Sequence, residues 1–425
     1  LLGAKDPVYL YASCRPVCLN VRQHLHRIQE MTDTTQETIL IGMDAHSVKI
    51  TLCIAKWRHG SDPKVIKRIT TTLDALENTY RRQVPAGSQT VLEASTNAFS
   101  IARRLKAIGQ RAEVLASDTL SGRARADRIN DRIDAENLVF AYARGGTRSV
   151  YVPSERNQHW RDVYFGYCNA VKDSVRLSNR IWAFCSGHGL KLPPRTFRRK
   201  AEVVRREVSA RAWTKEEQFH VESLLIQYKH SMEVRERYEK RIVEIVAENQ
   251  EMTRLMQLLG VRFVIAFALV TFIEDVTRFP DPKKLVSYIG LNPSVVESGK
   301  AHGRRALSHH GRGDLKSLMV QAAQCVLRKG DNDLAKWGRR KTATGKNRNV
   351  VVCAVARKLV TYVWHIMMNH PAPDRESERS FRLKLVKLAN AIGKEYLAKL
   401  GYKKIADYVE AVCAQIYPPE SQAQP

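Results

Sequence analysis

Five short apolar runs in the first third of the chain constrain the fold more than any other feature. Each run is short and either alternating or fully apolar, as expected of β-strands. They lie at residues 39–43, 49–54, 64–72, 89–93 and 112–116. The first two are separated by "DAHSV", which predicts a hairpin. Helical patterns follow the third run, recur in "SIARRLKAIG" (100–109), and end in "RINDRIDAENLVFAYARGG" (128–146), where glycine closes the helix.

Three strands followed by helix–strand–helix–strand–helix is the order of an RNase H-like mixed sheet. The rest of the chain has mainly helical patterns, so the predicted class is α/β plus all-α. At 425 residues, two or three domains are expected. The predicted segments are an N-terminal extension outside the fold (1–37), a catalytic sheet domain (38–152), a coiled-coil helical domain (153–254), a helical C-terminal domain (255–370) and a helical tail with a disordered end (371–425).

The middle segment predicts long paired helices with a break. Tyr238, Ile242 and Ile245 follow coiled-coil spacing, and an upstream run beginning at Val221 does so in a different register. A strongly basic stretch at 191–211 precedes both runs. It is either a solvated linker or a surface facing nucleic acid, in which case Arg198, Arg199 and Lys200 are candidate contacts.

The charge balance indicates the partner. Seventy Lys and Arg against 43 Asp and Glu give a net charge of +27, which attracts phosphate backbones and favours nucleic acid over a membrane or an acidic protein. The longest apolar run, Phe263–Ile273, is too short to span a membrane. Eight scattered cysteines without a CxxC pair argue against a zinc ribbon and fit a reducing compartment.

Four acids stand where they could share one cleft. Asp44 and Glu93 end two strands, and Asp131 and Asp134 lie three apart on one helix. Four carboxylates in one cleft need cations, and oxygen-only ligands suit Mg²⁺ or Mn²⁺, two of which could clamp a phosphodiester. The alternative is that these acids only cap helices or form ion pairs. Asp127, one helical turn before Asp131, is a rival ligand.

The three blocks that carry these acids resemble the DEDD-type insertion-sequence transposases, relatives of the Piv and MooV invertases with a RuvC-like catalytic domain. The blocks are "ILIGMDAHSVKITLCIA", "TVLEASTNAFSIARRLKAIGQRAEVLA" and "INDRIDAENLV". The resemblance implies that Asp44, Glu93, Asp131 and Asp134 are the catalytic metal ligands.

Residues 255–323 resemble the C-terminal transposase domain of the same family, beginning with a helix–hairpin–helix in which Arg262 replaces a usual glycine. In "ESGKAHGRR", the resemblance implies that Ser298 is a nucleophile, whereas a Ser-Gly pair taken alone usually marks a turn. The basic residues crowding it are candidate nucleic-acid contacts: Lys300, Arg304, Arg305, Arg312 and Lys316. His302, His309 and His310 lack a plausible completing metal ligand and are expected to contact phosphate or cap helices.

The resemblance implies a recombinase that mobilises an insertion sequence, cutting and exchanging donor and target DNA with Mg²⁺ and Ser298. It also implies a bridge RNA as guide, and homodimers that assemble into tetramers on DNA. The expected location is the cytoplasm of a prokaryotic cell, at the nucleoid. Two alternatives stay open. One is an invertase or junction-resolving nuclease that uses the acids alone, and the other is a non-catalytic nucleic-acid-binding remnant.

Overall fold

The computed structural model of the chain describes residues 37–46, 48–119, 131–192, 201–298, 301–307 and 311–417. Of these, residues 119, 131–132, 201–203, 205, 294–298 and 301–306 are described by their backbone alone. The chain divides into two compact units. The first contains the chain up to Glu155 together with Glu274–Asp374, and the second contains Arg156–Ile273 and the chain from Arg375 onward.

The sheet of the first unit is built from strands and helices that alternate as the sequence predicts. Its elements are β1 (Thr38–Ala45), β2 (Ile50–Trp57), β3 (Lys64–Thr71), α1 (Leu76–Gln83), β4 (Gln89–Glu93), α2 (Ala98–Ala107), β5 (Arg111–Leu115), α3 (Asp131–Ala143) and β6 (Ser149–Val150). The strand order is β3-β2-β1-β4-β5-β6. β1 runs antiparallel to β2 and parallel to β4, so the sheet is mixed. This order is consistent with an RNase H-like sheet.

Each face of the sheet is covered by its own apolar cluster. Ile41 and Met43 pack with α1 and α2 residues such as Leu76 and Ile101. Leu40 and Val91 face the opposite way and pack against α3. Because successive side chains on a strand point to opposite faces, these two layers bury nearly every apolar position of β1 and β4.

The remainder of the described chain is largely helical, as predicted. Its elements are α4 (Glu155–Gly187), α5 (Ala201–Ser209), α6 (Lys215–Glu248), α7 (Gln250–Leu255), α8 (Phe263–Ile273), α9 (Pro282–Ile289), β7 (Pro293–Ser298), β8 (Ala301–Leu307), α10 (Gly313–Lys329), α11 (Asp333–Ala343), α12 (Arg348–Met367), α13 (Glu378–Ile392), α14 (Lys394–Lys399) and α15 (Ile405–Ile416). The antiparallel hairpin β7–β8 corrects the expectation of a purely helical C-terminal domain. Its residues are too polar and irregular to give a strand pattern. The predicted segment boundaries and the coiled-coil and helix–hairpin–helix labels stay predictions.

Within the first unit, Arg278 connects the end of the sheet region to the helical segment Glu274–Asp374. The Arg278 guanidinium lies 4.2 Å from the Tyr151 ring centroid, 4.6 Å from that of Phe279 and 4.8 Å from that of Tyr288. Nearby, the Ser154 backbone N–H donates to the Glu274 carboxylate at 3.1 Å. Cation–π contacts are stronger when the guanidinium is shielded from water. The three ring contacts of Arg278 therefore stabilise the connection between the two segments of the first unit.

Helix α12 is the core helix of the same unit. Ten of its residues are buried, and its Trp364 indole donates to the Phe279 carbonyl at 2.9 Å. By length and composition it is the one helix in the described chain that could cross a membrane, but more than half of its apolar window is buried inside the protein. Its hydrophobicity is therefore accounted for by packing against α10 and α11.

The second unit contains long paired helices, as predicted. Ile181 and Cys185 of α4 pack with Val221, Leu224 and Tyr228 of α6. Further along, the Tyr238 ring lies where a Gly166 side chain would be, within 2.4 Å of the position of its Cβ, so the two helices approach closely there. The break predicted between the two coiled-coil runs is wrong, because α6 continues from one run into the other. It ends only at Glu248, and Asn249 then caps α7 through its side-chain oxygen.

A buried ion pair fixes the C-terminal helices of this unit. Lys384 lies 2.6 Å from Glu376, and their side chains are 13% and 2% exposed. The same ammonium donates to the carbonyls of Met256 and Leu258, at 2.7 and 2.8 Å. Burial raises the pKa of Glu376 above its usual range, while Lys384 opposes the shift. Removing Lys384 would leave a buried carboxylate with no compensating charge.

We therefore predict that Lys384→Met lowers the free energy of unfolding by about 3 kcal/mol at pH 7, since breaking one side of a buried pair is costly. Chemical unfolding measures the change. Because the folded-state pKa of Glu376 is raised, this carboxyl group takes up its proton at a higher pH in the folded state than in the unfolded chain. The loss of stability caused by Lys384→Met therefore shrinks as the pH falls through the range between the two pKa values.

The control is Lys229→Met, which breaks an exposed pair with Glu233 in the same unit and should change stability by less than about 0.5 kcal/mol. Equal losses in the two variants, or a Lys384→Met loss that does not shrink with acid, would contradict the account of this pair.

Candidate active site

Two of the predicted carboxylates lie side by side at one edge of the sheet. In the parallel pair β1–β4, Gly42 is in register with Val91 and Met43 with Leu92. Asp44 and Glu93 are the next residues on these strands. Neighbouring strands lie about 4.8 Å apart, so the two acids occupy adjacent positions. They also stand at the carboxyl ends of parallel strands, the edge at which α/β sheets place their ligand sites.

Both acids share the face that α3 covers. Leu40 and Val91 pack in the cluster with α3, and Asp44 and Glu93 follow them by four and two residues. Even spacing along a strand keeps side chains on one face. Both carboxylates are half-buried.

A glycine lets α3 approach this face closely. A Cβ added at Gly42 would stand 1.8 Å from the Ala135 carbonyl oxygen and 2.9 Å from a Val139 methyl group. Gly42 lies on the same face as Leu40 and Asp44, two residues before the acid. The helix backbone therefore crosses β1 where only glycine leaves room.

The second pair of predicted acids lies on the first turn of that helix. Asp131 is the first residue of α3, and Asp134 directly precedes Ala135, whose carbonyl lies over Gly42. Asp134 is half-buried. The side chain of Asp131, and the whole of Asp127, lie outside what the structure describes. The backbone thus places the beginning of α3 against β1, the strand that carries Asp44.

A histidine that the sequence analysis did not single out contacts the first acid. His46 Nε2 lies 3.2 Å from Asp44 Oδ2, and that oxygen is buried, whereas the His46 side chain is 61% exposed. The His46 backbone N–H donates to the Lys49 carbonyl at 3.0 Å and thereby closes the β1–β2 turn. The D-x-H spacing at a strand end was the only signal in the sequence.

A third acid on this face has a structural role. Glu113 of β5 accepts hydrogen bonds from the Tyr142 hydroxyl at 3.2 Å and the Ser149 hydroxyl at 2.6 Å. These bonds tie β5 to α3 and to β6, so its two oxygens are occupied. Asp44 and Glu93 are carboxylates at a strand edge, and carboxylate oxygens are the type of ligand that Mg²⁺ and Mn²⁺ prefer. Among described side chains, no three acids, histidines or cysteines converge closely enough to hold a metal.

The predicted serine lies on the β7–β8 hairpin. Ser298 is the last residue of β7 and pairs with Ala301, the first residue of β8. Two residues, one of them Lys300, separate the strands and lie outside the described chain, as does the Ser298 side chain. The register nevertheless puts Ser298 at the tip of a hairpin, where a backbone can approach a large ligand.

Two glycines hold the base of that hairpin. Gly290 (φ 83°) ends α9, and Gly311 (φ 99°) precedes α10. A Cβ at Gly311 would stand 2.6 Å from Gly290 Cα, so the two backbones touch. The Arg312 N–H also donates to the Tyr288 carbonyl at 3.0 Å. Both ends of the hairpin are thereby fixed to helices of the first unit.

The predicted nucleic-acid contacts fall into three groups: residues of β8 whose side chains are not described, residues at the start of α10, and residues outside the described chain. Arg304 lies on β8 and pairs with Val295, and Arg305 follows it, but their side chains are not described. Arg312 forms a two-point ion pair with Asp314, at 2.7 and 3.2 Å, and is only 11% exposed. Lys316 is half-buried on α10. The residues outside the described chain are Arg198, Arg199, Lys200 and Lys300, and also His309 and His310.

Comparison with known proteins gives consistent similarities. Residues 252–337 match the model of the Transposase IS116/IS110/IS902 family. A putative transposase, y4qE, of Sinorhizobium fredii is 24% identical over 357 residues, covering 77% of this chain and 87% of that protein. The transposase for insertion sequence element IS1328 of Yersinia enterocolitica is 23% identical over 284 residues, 64% of this chain and 81% of that protein.

A shorter similarity reaches the pilin gene-inverting protein of Moraxella lacunata. It is 29% identical over 112 residues, 26% of this chain and 35% of that protein. By these similarities the chain resembles transposases along most of its length, and residues 252–337 match the IS116/IS110/IS902 family. With the more distant similarity to the pilin-inverting protein, this agrees with the predicted family.

We predict that Gly42→Ala lowers the free energy of unfolding by about 1–3 kcal/mol, because the added methyl group collides with the α3 backbone. Calorimetric unfolding measures the loss, and amide hydrogen exchange locates it in α3. The control is Gly146→Ala, since nothing lies within 4 Å of the position of a Cβ there. A Gly42→Ala protein as stable as the Gly146→Ala protein would show that the close approach of α3 to β1 is wrong.

Proposed function

We propose that the protein is the transposase of an insertion sequence and cuts and rejoins DNA at the sheet edge. The observation that carries the proposal is the register of β1 and β4, which sets Asp44 beside Glu93 on the face covered by α3. Family membership supplies the reaction class, because relatives along most of the chain are named as transposases.

In this proposal, Asp44, Glu93, Asp131 and Asp134 hold Mg²⁺ or Mn²⁺. The fit rests on the donor set, since carboxylate oxygens are the ligands that these hard cations prefer. When bound, such a cation stabilises negative charge on the phosphoryl oxygens of DNA. The chain contributes fixed positions, because the strands and the glycine-mediated contact of α3 hold the acids before any ligand binds. His46 holds the Asp44 carboxylate through a contact to Oδ2.

Ser298 is proposed as the nucleophile. Its oxygen attacks a DNA phosphorus, its proton passes to a base or to water, and the bond from phosphorus to one sugar oxygen breaks, leaving that oxygen to take up a proton. The serine–phosphate ester then retains the energy of the broken bond, so another sugar hydroxyl can displace serine without ATP. A position at the end of β7, on a hairpin fixed at both ends, supports this role.

The partners follow from the same proposal. Donor and target DNA bind the basic protein through their phosphates, and a bridge RNA pairs with both. Arg198, Arg199 and Lys200, with the basic residues around Ser298, contact these strands. Homodimers assemble into tetramers on DNA, and the protein works in the cytoplasm of a bacterial cell. The relatives named above come from bacteria.

We expect Asp44→Asn and Glu93→Gln each to reduce cleavage of the element's terminal DNA at least about a hundredfold and to weaken Mn²⁺ binding. Cleavage assays and calorimetric titration with Mn²⁺ measure the two effects. The control is Glu37→Gln, which removes an exposed acid paired with Lys56 just before β1. The metal role of the acids fails if either variant cleaves DNA and binds Mn²⁺ as the control does.

We expect Ser298→Ala to abolish any covalent protein–DNA adduct and to reduce recombination by at least about a hundredfold. Denaturing gels detect the adduct, and a strand-exchange assay measures the rate. Ser317→Ala removes an exposed hydroxyl from α10 and serves as the control. Recombination by Ser298→Ala at the wild-type rate would favour the second candidate, a DNA invertase or junction-resolving nuclease that uses the acids alone. The similarity to a gene-inverting protein is the observation behind that candidate.

A further inference from the structure

A long acid-free stretch of the first unit supplies an observation that the proposed function does not use. From Leu334 to Pro373 the chain contains no Asp or Glu, while eight Lys and Arg fall within the same forty residues. A chain with 43 acids in 425 residues would place about four in such a stretch on average. The stretch covers α11, α12 and the turn between them, and most of it lies beyond the family-matched segment, which ends at residue 337.

Some of these basic residues have structural roles. Arg339 donates to the Gly330 carbonyl at 2.7 Å, and the Lys358 ammonium lies 4.9 Å from the Trp337 ring centroid. Both interactions hold α11 against its neighbours. The remaining cations near the turn make no such contacts within the described chain, and no described Asp or Glu forms an ion pair with them. They are Arg340, Lys341, Lys346 and Arg348, which we call the basic turn.

The basic turn is exposed except at Lys341, which is half-buried, and it stands on a rigid support. Residues 342–350 are all exposed, an uninterrupted run at the joint of two helices. Below it, α11 packs closely against both α10 and α12. A Cβ at Gly338 would stand 2.4 Å from a Leu327 methyl group and 3.1 Å from a Val355 methyl group. The side chains at the tip therefore stand on a fixed base.

The turn itself has a defined conformation. Gly345 adopts φ 79°, its N–H donates to the Thr342 carbonyl at 3.0 Å, and the Lys346 N–H donates to the Lys341 carbonyl at 3.3 Å. This is the pattern of a glycine-terminated helix. Asn347 then begins α12, and its side-chain oxygen accepts from the Asn349 N–H at 2.9 Å. The four cations thus stand on a backbone that is ordered without a ligand, which lowers the entropic cost of binding.

The arrangement differs from that of arginines elsewhere in the protein. Arg68, Arg104 and Arg148 each pair with a carboxylate, as does Arg382. In these ion pairs, the arginine and its carboxylate neutralise each other within the fold. Three exposed cations and the half-buried Lys341, none of them paired with a described carboxylate, repel one another, and a partner with closely spaced negative charges relieves that repulsion. Duplex DNA carries one phosphate charge per roughly 1.7 Å of helix axis and meets that requirement.

We propose that the basic turn is a sequence-independent binding site for the phosphate backbone of duplex DNA. It shares no residue with the edge carboxylates or with the serine hairpin. The proposal rests on the proposed function only in taking DNA, rather than another polyanion, as the partner. Its cations contact phosphates as point charges and by guanidinium hydrogen bonds, and so anchor DNA without reading bases.

The test compares two full-length variants, each lacking four positive charges. One changes Arg340, Lys341, Lys346 and Arg348 to Ala. The other, the matched control, changes four exposed lysines of the C-terminal tail to Ala: Lys387, Lys394, Lys399 and Lys403. Circular dichroism first establishes that both variants keep the wild-type helix content and melting temperature. Binding to a random-sequence DNA duplex of about 30 base pairs is then measured over a range of salt concentrations.

For the basic-turn variant, we expect the slope of log affinity against log salt to become shallower by about 3 to 4, since each phosphate contact contributes about 0.9. At about 0.1 M salt this corresponds to at least a hundredfold weaker binding. The control should keep the wild-type slope to within about 1. Equal slopes in all three proteins, or equal losses in both variants, would overturn the proposal, because the turn would then contribute no more than overall charge.

Two further arms test the identity of the partner. A duplex RNA of the same length and vesicles of phosphatidylserine replace the DNA in the same titration. The proposal is supported if the basic-turn variant loses affinity for the DNA duplex but not for the vesicles, whether or not it also loses affinity for duplex RNA. A loss confined to RNA or to vesicles overturns it. None of these measurements requires cleavage, so the result stands whether or not the acids and Ser298 have the roles proposed for them.

Discussion

The contact between Gly42 and the backbone of α3 is the constraint on which the candidate site depends. Without a side chain at Gly42, the Ala135 carbonyl lies directly over β1. That approach carries the first turn of α3, with Asp131 and Asp134, towards β1, the strand that carries Asp44. Any larger residue at position 42 would lift the helix from the sheet. A packing requirement between two apolar elements thus decides whether carboxylates far apart in sequence can act together.

The serine hairpin uses the same device. Gly290 and Gly311 touch through their backbones, and the hairpin between them is fixed where it leaves the helices. In both places close backbone contact replaces side-chain packing, so position is set by the chain itself rather than by flexible groups. Polar contacts then refine each element. His46 contacts Asp44, and Arg312 is held by Asp314 at the start of α10. Rigid support of this kind suits a protein that must hold large, highly charged partners.

The sequence was sufficient to predict the strands of the sheet region, but not the register and contacts between its elements. Alternation and apolar runs predicted β1 to β5 to within a few residues, because burial on one or both faces leaves that pattern in any sequence. It also placed Asp44 and Glu93 at strand ends. The parallel register that makes them neighbours, and the role of Gly42, depend on residues fifty to ninety positions apart, and no local pattern carries that information. The hairpin β7–β8 was missed because its strands are polar, and the ion pair of Arg312 with Asp314 was not foreseen.

The central claim is that the ends of β1 and β4 and the first turn of α3 form one metal site. Ferrous ion provides the most direct measurement, since in the presence of ascorbate and peroxide it cleaves the polypeptide backbone close to its ligands. The account predicts cuts in three separate segments, near Asp44, near Glu93 and between Asp131 and Asp134, all suppressed together by excess Mg²⁺. Cuts confined to one of these segments, or cuts elsewhere that Mg²⁺ does not suppress, would contradict it.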